Sequence, residues 1–427
     1  MIKFVTSLFC LSLLASPHCF SGAVEIHETS PGHFELLVGG QPFFAKGVGG
    51  ANNLRKLKEL GGNTFRTWGA EQLDERIEGK LLLDYADELG LKVMAGIWIG
   101  HERHGFDYND PVQINKQREH VRETVCKHKD HPALLVWGLG NEMEGPAADG
   151  SDIRIWKELN ELAKIVKEED PHHPVCTVIA SIGGEKVPNV IKYYPEIDIL
   201  GVNAYASASG VGSGLVSLGW TKPFMLTEFG PLGHWEVGKA PWGAPIEPTS
   251  QDKASMYYVT HQRVVEEGEG KCLGTFAFLW GHKQETTATW YGMFLASGER
   301  LGAADAMSYA WNGEFPSNRA PKLISLDSAA DRQKVSPGST QTAKVNVKDP
   351  EDDPLGYEWV VTAESTDVRV GGDKETAPPS FPDSIQSGTG ASATFTAPEK
   401  TGAYRLFVYV RDNANGAATA NFPFYVE

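Results

Sequence analysis

The chain has 427 residues, of which 41% are hydrophobic and 22% are charged, a composition that argues against both a disordered protein and an integral membrane protein. Its formal net charge is -16, and no cluster of lysines and arginines is visible, so nucleic acid and anionic membranes are poor partners. An uncharged substrate fits this balance better. The length is sufficient for a barrel of about 250 to 300 residues and a second module.

Residues 1–23 have the pattern of a secretory signal peptide. Lys3 supplies a positive charge, Phe4 to Leu14 form an apolar stretch, and Ser21 to Ala23 are small residues suited to cleavage. Cys19 raises the alternative of a lipoprotein, but the residues before it are not the small ones that such processing needs. We therefore expect a secreted protein, periplasmic or extracellular, and without a membrane-spanning segment.

Between residues 24 and 316, short apolar runs alternate with amphipathic stretches, the pattern of a parallel sheet covered by helices. The predicted strands are Pro42 to Gly47, Thr64 to Trp68, Lys92 to Trp98, Leu134 to Gly140, Val175 to Ile179, Ile197 to Asn203, Phe224 to Thr227 and Thr275 to Trp280. The predicted helices are Leu73 to Leu89, Arg118 to Lys129, Ile153 to Glu169, Lys253 to Glu267 and Leu301 to Trp311. Eight such strands predict an α/β fold, a (β/α)8 TIM barrel.

The composition changes after Pro316, and residues 320–427 contain short strand-like runs separated by Gly, Pro, Asp and Ser turns. This pattern, with Trp359 on what we expect to be a central strand, predicts a C-terminal all-β immunoglobulin-like sandwich. Its aromatic residues mostly alternate as core residues do, so we favour a spacer or a scaffold over a carbohydrate-binding module.

Two glutamates follow apolar runs of strand length: Glu142 after Leu134 to Gly140, and Glu228 after Phe224 to Thr227. In a barrel both carboxylates would lie at the carboxyl ends of strands, where barrel enzymes keep their catalytic residues. Glycoside hydrolysis needs such a pair, one acid for the leaving oxygen and one carboxylate that attacks or activates water. The alternative without a catalytic role is that both glutamates are N-cap or first-turn residues of helices.

These motifs, Asn141-Glu142 after the fourth strand and Thr227-Glu228-Phe-Gly after the seventh, resemble the acid/base and nucleophile motifs of the clan A glycoside hydrolases, which are retaining β-glycosidases. The resemblance implies double displacement, with Glu228 as nucleophile, Glu142 as acid/base and a carboxyl separation of about 5 to 5.5 Å. It also implies substrate-site roles for four other residues. They are Arg66 and Tyr205 beside the nucleophile, Asn141 on the sugar 2-hydroxyl and Trp280 as an aromatic floor.

A secreted barrel followed by one immunoglobulin-like module is most similar to glycoside hydrolase family 158, which implies an endo-β-1,3-glucanase, a laminarinase. Family 2 barrels are similar around Phe43 to Gly47 and Asn63 to Arg66, but the N-terminal sandwich domains typical of that family are missing here. The alternatives are another clan A β-glycosidase, such as a β-mannanase or an exo-β-glucosidase, and a polysaccharide-binding protein that does not cleave.

Aromatic and histidine side chains at or beyond strand ends could pack on sugar rings. They are Trp68, Trp98, His101, Trp220, Trp235, Trp242 and His282. The stretch His101-Glu-Arg-His104 lacks the spacing of a zinc motif, and the three cysteines beyond the signal, which we expect to be buried thiols, lack metal-like spacing too. We expect neither a metal nor a cofactor, a polysaccharide or oligosaccharide as the partner, and a monomer.

Overall fold

A computed structural model describes residues 23–145, 147–268, 270–369 and 371–427. The predicted signal peptide lies outside these residues, apart from Ala23. The described chain begins with an antiparallel sheet of β1 (Val24–Ser30), β2 (His33–Val38) and β3 (Gln41–Phe43). Its apolar side packs on residues at the amino ends of the barrel strands, so it closes the floor of the barrel.

The central element is a closed parallel barrel of eight strands, which confirms the predicted fold class. The strands are β4 (Ala45–Gly49), β5 (Thr64–Arg66), β8 (Lys92–Ile97), β9 (Leu134–Leu139), β10 (Val175–Ala180), β11 (Ile199–Asn203), β12 (Phe224–Phe229) and β13 (Cys272–Ala277). A small hairpin of β6 (Arg76–Ile77) and β7 (Lys80–Leu81) lies between the second and third of them. Because all eight strands run in the same direction, their carboxyl ends meet at one mouth.

Each barrel strand is followed by a helix, and these helices form the outer layer. They are α1 (Leu54–Glu59), α2 (Leu82–Glu88), α3 (Pro111–His128), α4 (Ile153–Glu169), α5 (Lys186–Tyr193), α6 (Val211–Ser217), α7 (Ser250–Glu267) and α8 (Gly302–Asn312). Short 3-10 turns occupy Ala70–Asp74, Glu102–His104 and Ala208–Gly210. Within the described chain, every helix is too short or too polar to cross a membrane.

The helices show how local sequence sets their bounds. Helix α4 has the predicted bounds because its N-cap Asp152 accepts a hydrogen bond from the backbone of Arg154 and its apolar face repeats at helical spacing. The stretch predicted as one helix from Leu73 to Leu89 is interrupted instead. Glu78 and Gly79 have φ angles of 51° and 82°, a left-handed turn that joins β6 to β7 and delays α2 to Leu82.

Cys126 on α3 is exposed, contrary to the expectation of three buried thiols.

The C-terminal region is a two-sheet sandwich. One sheet contains β14 (Arg300–Leu301), β22 (Gly416–Val426), β21 (Gly402–Arg411) and β18 (Gly356–Ala363), with β16 (Lys334–Val335) added to β22. The other contains β15 (Lys322–Ser328), β17 (Thr340–Lys348), β20 (Ser392–Thr396) and β19 (Ile385–Ser387), and a 3-10 turn at Pro382–Ser384 precedes β19. Trp359 is buried between the sheets, but its strand β18 is at the edge of its sheet, not central as predicted.

The sandwich and the barrel share buried polar contacts. Strand β14, which precedes the last barrel helix, pairs with β22 of the sandwich. Glu247, beyond the seventh barrel strand, accepts hydrogen bonds from Asn421 of the sandwich at 2.8 Å and from Thr287 at 2.6 Å. Arg405 of the sandwich donates to the backbone oxygen of Pro245 at 2.8 Å. Because buried polar groups are costly to leave unpaired, these contacts fix the sandwich beside the barrel mouth.

Candidate active site

Glu142 and Glu228 both line a cavity of about 670 Å³ at the barrel mouth. Glu228 is the fifth residue of the seventh barrel strand and is 6% exposed. Glu142 lies three residues beyond the end of the fourth barrel strand and is half-buried. The structure therefore brings together the two carboxylates that the sequence singled out, because both runs end at the same face of the barrel.

Three donors converge on the Glu228 carboxylate. Arg66 Nη1 and Trp68 Nε1 donate to Oε1 at 3.3 and 3.2 Å, and the Tyr205 hydroxyl donates to Oε2 at 3.2 Å. Burial raises the pKa of the Tyr205 phenol well above its ordinary value, so the hydroxyl remains a donor. Both oxygens of Glu228 are thus held in place by hydrogen bonds that favour the ionised carboxylate.

Arg66 organises the floor of the site. It ends the second barrel strand, its side chain is 2% exposed, and its second terminal nitrogen donates to Asn141 Oδ1 at 2.8 Å. The first nitrogen also donates to the backbone oxygen of Thr227 at 2.9 Å. A planar guanidinium can serve these acceptors at once, and a lysine could not. Arg66 therefore lies beside the nucleophile carboxylate, as the clan A resemblance implies, and Asn141 is hydrogen-bonded to Arg66.

Asn203 connects the two carboxylates and was missed by the sequence analysis. It ends the sixth barrel strand, donates from Nδ2 to Glu142 Oε1 at 3.1 Å, and accepts from Arg66 Nη1 at 3.3 Å. Thr227 Oγ1 also donates to it, at 2.8 Å. The available signal was the same as for the glutamates, a polar residue that ends an apolar run. Its amide places Glu142 in one hydrogen-bonded network with Glu228.

The backbone of Glu142 is in the left-handed region, with φ at 53°. For a residue other than glycine this conformation costs about 1 to 2 kcal/mol. Such strain persists where the surrounding structure determines the backbone, and it is concentrated at functional sites. Here it aims the Glu142 side chain into the cavity beside Asn203.

The two carboxyl groups have different surroundings. Burial raises the pKa of the Glu228 carboxyl above its ordinary value, the Arg66 guanidinium opposes that shift, and the charge of Glu142 adds to it. Glu228 accepts three hydrogen bonds, one of them from a cation, whereas Glu142 accepts only the one from Asn203 among the described residues. The Glu228 carboxylate therefore has the larger number of hydrogen-bond donors of the two.

Aromatic and aliphatic side chains form the cavity walls. They are Trp68, Trp98, Tyr205, Trp235, Phe278 and Leu279. Of the side chains that the sequence analysis expects to contact sugars, Trp68, Trp98 and Trp235 line the cavity, while Phe278 and Leu279 were missed. His101 lies behind Trp98, with ring centroids 5.0 Å apart, and burial lowers its pKa to about 4, so the ring is neutral.

Trp280 does not form the predicted floor. The eighth barrel strand ends at Ala277, earlier than predicted, so Phe278 occupies the position at the strand end. The Trp280 side chain is fully buried, its Nε1 donates to the backbone oxygen of Asn53 at 3.4 Å, and it packs on Phe294. It is a core residue.

The other expected contacts outside the cavity have packing roles. Trp220 is buried and donates to the backbone oxygen of Pro223 at 3.3 Å, and Trp242 packs on Tyr425 of the sandwich. His282 is absent from the cavity lining as far as the described residues define it. Beyond a strand end, the side chain can face either the cavity or the surrounding core, and the sequence did not distinguish these directions.

Charged side chains at the cavity are mostly paired. Lys283 Nζ lies 2.6 Å from Glu285 Oε2, and the Arg369 guanidinium is bonded to Asp367. Glu236 accepts from the backbone nitrogen of Gly233 at 2.7 Å. Both cations that line the cavity, Lys283 and Arg369, are therefore already engaged with carboxylates.

Residues 76–230 match the family model described as glycosyl hydrolases family 2, TIM barrel domain. A putative beta-glucuronidase from Formosa agariphila is 27% identical over 176 residues, which are 41% of this chain and 14% of that protein. A probable mannan endo-1,4-beta-mannosidase C from Aspergillus terreus is 30% identical over 104 residues, which are 22% of this chain and 25% of that protein. The matches thus cover a quarter or less of these two relatives.

Among solved structures, Bacteroides uniformis beta-glucuronidase is similar at a TM-score of 0.51 and 14% identity, over 95% of this chain and 48% of that one. The beta-glucuronidase of Dictyoglomus thermophilum is similar at 0.51 and 18% identity, over 69% of this chain and 54% of that one. At these identities the likeness shows the fold. The finer resemblance to family 158 is not what the comparisons return, since the matching barrel model is that of family 2. Residues 76–230 are therefore similar to the barrel domain of family 2 glycoside hydrolases, and the solved structures share the fold.

Proposed function

We propose that the protein is a retaining β-glycosidase in which Glu228 is the nucleophile and Glu142 is the acid/base. The observation that carries this proposal is the hydrogen-bonded network of Arg66, Asn203 and the two glutamates at one barrel mouth. It holds two carboxyl groups at one cavity, and glycoside cleavage with retention needs such a pair, one as the nucleophile and one as the acid/base.

In the first step a Glu228 oxygen attacks the anomeric carbon as the bond from that carbon to the leaving oxygen breaks. Glu142 transfers its proton to the leaving oxygen, so the departing group leaves as a neutral alcohol. A covalent glycosyl ester on Glu228 remains. Trp68 and Tyr205 donate to the same carboxylate and hold it in the attacking orientation.

In the second step Glu142, now ionised, takes a proton from water, and the water oxygen attacks the anomeric carbon. The ester bond to Glu228 breaks, its carboxylate is regenerated, and Glu142 is again protonated. Two inversions at the same carbon give a sugar with its original β configuration. Because Asn203 contacts Glu142 and Arg66 contacts Glu228, each carboxylate keeps its partner through both steps.

A neutral β-linked saccharide is the proposed substrate class. A uronic acid would need a cation that is free to meet its carboxylate, whereas Lys283 and Arg369 are paired with Glu285 and Asp367. The aromatic walls offer flat apolar faces for pyranose rings. β-1,3-Glucan of the laminarin type, implied by the sequence resemblance, is the first substrate to test, and β-mannan is second because of the mannosidase relatives.

The test of the chemistry uses Glu228→Ala and Glu142→Ala with added azide. The wild type is first assayed with aryl β-glucoside, β-mannoside and β-galactoside to find a substrate that it cleaves. Laminarin, mannan and cellulose are assayed in the same way. Azide should restore turnover of Glu142→Ala as a β-glycosyl azide and of Glu228→Ala as an α-glycosyl azide, since azide replaces water in one case and the nucleophile in the other. Glu236→Gln, a change in the same cavity, is the control and should give neither azide product. Exchanged azide products would reverse the two roles.

The second candidate is a protein that binds polysaccharide without cleaving it. Glu142→Gln separates the candidates, because it keeps the shape of the side chain and removes its acid. If the enzyme proposal is right, this variant binds the polysaccharide that the wild type cleaves but releases almost no product from it. Equal product formation by Glu142→Gln and the wild type would remove Glu142 from the mechanism.

We also propose that the protein is exported, on the basis of the pattern in residues 1–23. Expression of the full chain followed by mass measurement of the secreted product would locate the cleavage. A protein that stays inside the cell and still carries residues 1–23 would contradict the proposal. Size-exclusion chromatography of the same product tests the expected monomer.

A further inference from the structure

The sandwich sends a loop to the active site. We define the strap as residues 364–369 and 371–379, which leave the sandwich after β18 and return to it beside the same strand. Its ends are joined by a hydrogen bond from the backbone nitrogen of Ala363 to the backbone oxygen of Pro379 at 3.0 Å. Four of its residues line the cavity that holds both glutamates. They are Arg369, Gly371, Gly372 and Asp373.

One side of the strap is tied to the loop that follows the eighth barrel strand. Glu375, 4% exposed, accepts from the backbone nitrogen of Thr286 at 2.6 Å and from that of Arg369 at 3.0 Å. Lys283 Nζ donates to the backbone oxygen of Gly372 at 2.8 Å and lies 5.5 Å from the centre of the Phe278 ring. These contacts are buried or charge-assisted, so they hold the strap in place against this loop.

The other side of the strap is tied to the loop that follows the third barrel strand. His104 Nε2 lies 3.2 Å from Asp373 Oδ2, and Arg103 Nη2 lies 3.7 Å from Asp373 Oδ1. Gly371 and Gly372 have φ angles of 64° and 72°. A Cβ on Gly371 would come within 2.8 Å of the Arg103 guanidinium, so glycine permits this close approach.

The strap therefore bridges the loops that follow the eighth and the third barrel strands. In an eight-stranded closed barrel, the eighth strand stands opposite the fourth, which carries Glu142. The leaving oxygen must lie beside Glu142, so the leaving group extends on that side. A sugar bonded to Glu228 would then extend away from Glu142, toward the eighth strand and the strap residues that line the same cavity.

We propose that the strap closes the substrate cleft beyond the glycone sugar, so that the enzyme removes terminal units from the non-reducing ends of its substrate and does not cut inside the chain. This inference rests on the proposed assignment of Glu142 and Glu228. It makes the sandwich a part of the substrate site, and it replaces the internal cleavage that the family 158 resemblance implies.

The experiment follows hexasaccharides labelled at their reducing end, laminarihexaose and mannohexaose, with the full-length wild-type protein. A stepwise series of labelled products, each shortened from the unlabelled end, is the expected result. A matched variant replaces residues 366–377 with three glycines, and Glu375→Ala breaks the Thr286 contact without shortening the chain. In both variants, the ratio of internal to terminal cleavage should rise by at least about tenfold, equivalent to 1.4 kcal/mol between the two binding modes.

Aryl glycosides with a single sugar separate the two proposals, because cleaving them requires the glutamates and no space beyond the glycone. If the wild type cleaves neither the aryl glycosides nor either hexasaccharide, the proposed function is wrong. If it cleaves the aryl glycosides but cuts the hexasaccharides internally with the strap intact, the proposal about the strap is wrong. The wild-type result therefore tests the proposal about the strap even if the shortened variant fails to fold.

Discussion

Replacing Arg66 with methionine should move the acidic limb of activity to higher pH. The side chain is 2% exposed and lies 3.3 Å from the Glu228 carboxylate, whose own side chain is 7% exposed. Methionine has a similar reach and no charge, so the change removes the cation and leaves Glu228 buried. Burial and Glu142 already raise the pKa of Glu228, and Arg66 is the main influence that opposes them.

The size of the shift follows from the cost of breaking a buried ion pair. Removing one partner typically costs about 3 to 5 kcal/mol, because a buried charge is left uncompensated. At 1.36 kcal/mol per pKa unit, this equals about 2 to 4 units if Glu228 responds by binding a proton. Trp68 and Tyr205 still donate to the carboxylate, so we expect the lower part of this range.

The assay is kcat/KM on an aryl glycoside from pH 4 to 9, which reports the ionisation of the free enzyme. Glu228 attacks only when ionised, so raising its pKa lowers activity at acidic and neutral pH and spares it at alkaline pH. Arg55→Met is the control, since Arg55 pairs with Glu78 at the surface with 56% of its side chain exposed. An acidic limb that moves by less than about 0.3 units in Arg66→Met would refute the proposed role of the ion pair.

Three further changes test other parts of the site. Asn203→Ala removes the donor to Glu142 and should lower kcat by about 10²-fold, with circular dichroism unchanged; activity within about threefold of the wild type would show that this amide is dispensable. Glu142→Gly should be more stable than Glu142→Ala by about 1 kcal/mol in urea unfolding, because φ is 53° there; equal stability would mean that the backbone relaxes. Burial raises the pKa of Glu144 to about 8, and the charge of Glu142 adds to this rise. Ionising Glu144 therefore costs more free energy in the folded protein than in the unfolded one, so the folded state loses stability as the pH rises from about 4.5 to 8. Glu144→Gln should therefore raise the melting temperature relative to wild type at pH 8 and much less at pH 4.5, and a difference independent of pH would contradict this.

The sequence predicted the parts of the site that depend on strand ends. Glu142, Asn141 and Glu228 follow apolar runs of strand length, and a parallel barrel places the ends of such runs at one mouth whatever the loops do. Arg66 and Tyr205 lie at strand ends too, and their contacts with Glu228 follow from the same geometry.

The sequence failed where a side chain's direction depends on one residue of register. Trp280 was expected at the end of the eighth strand, but the strand stops at Ala277, so Phe278 lines the cavity and Trp280 enters the core. The strap was missed for another reason. Arg369 and Glu375 are about 140 or more residues from the nucleophile along the chain, and no local periodicity reports which distant surface a loop meets.

The way in which the sandwich is attached decides which experiment can reveal its role. Removing the sandwich would take Asn421 from the buried Glu247 carboxylate and the β22 partner from β14, so the truncated barrel would lose stability as well as the strap. A buried polar group left without its partner costs about 1 to 3 kcal/mol, and several such losses are comparable with the whole stability of a domain. Loss of activity after truncation would therefore not distinguish a scaffold from a cleft wall. Shortening the strap leaves these contacts in place, because its ends stay joined at Ala363 and Pro379, so a change in cleavage pattern there reports on the cleft itself.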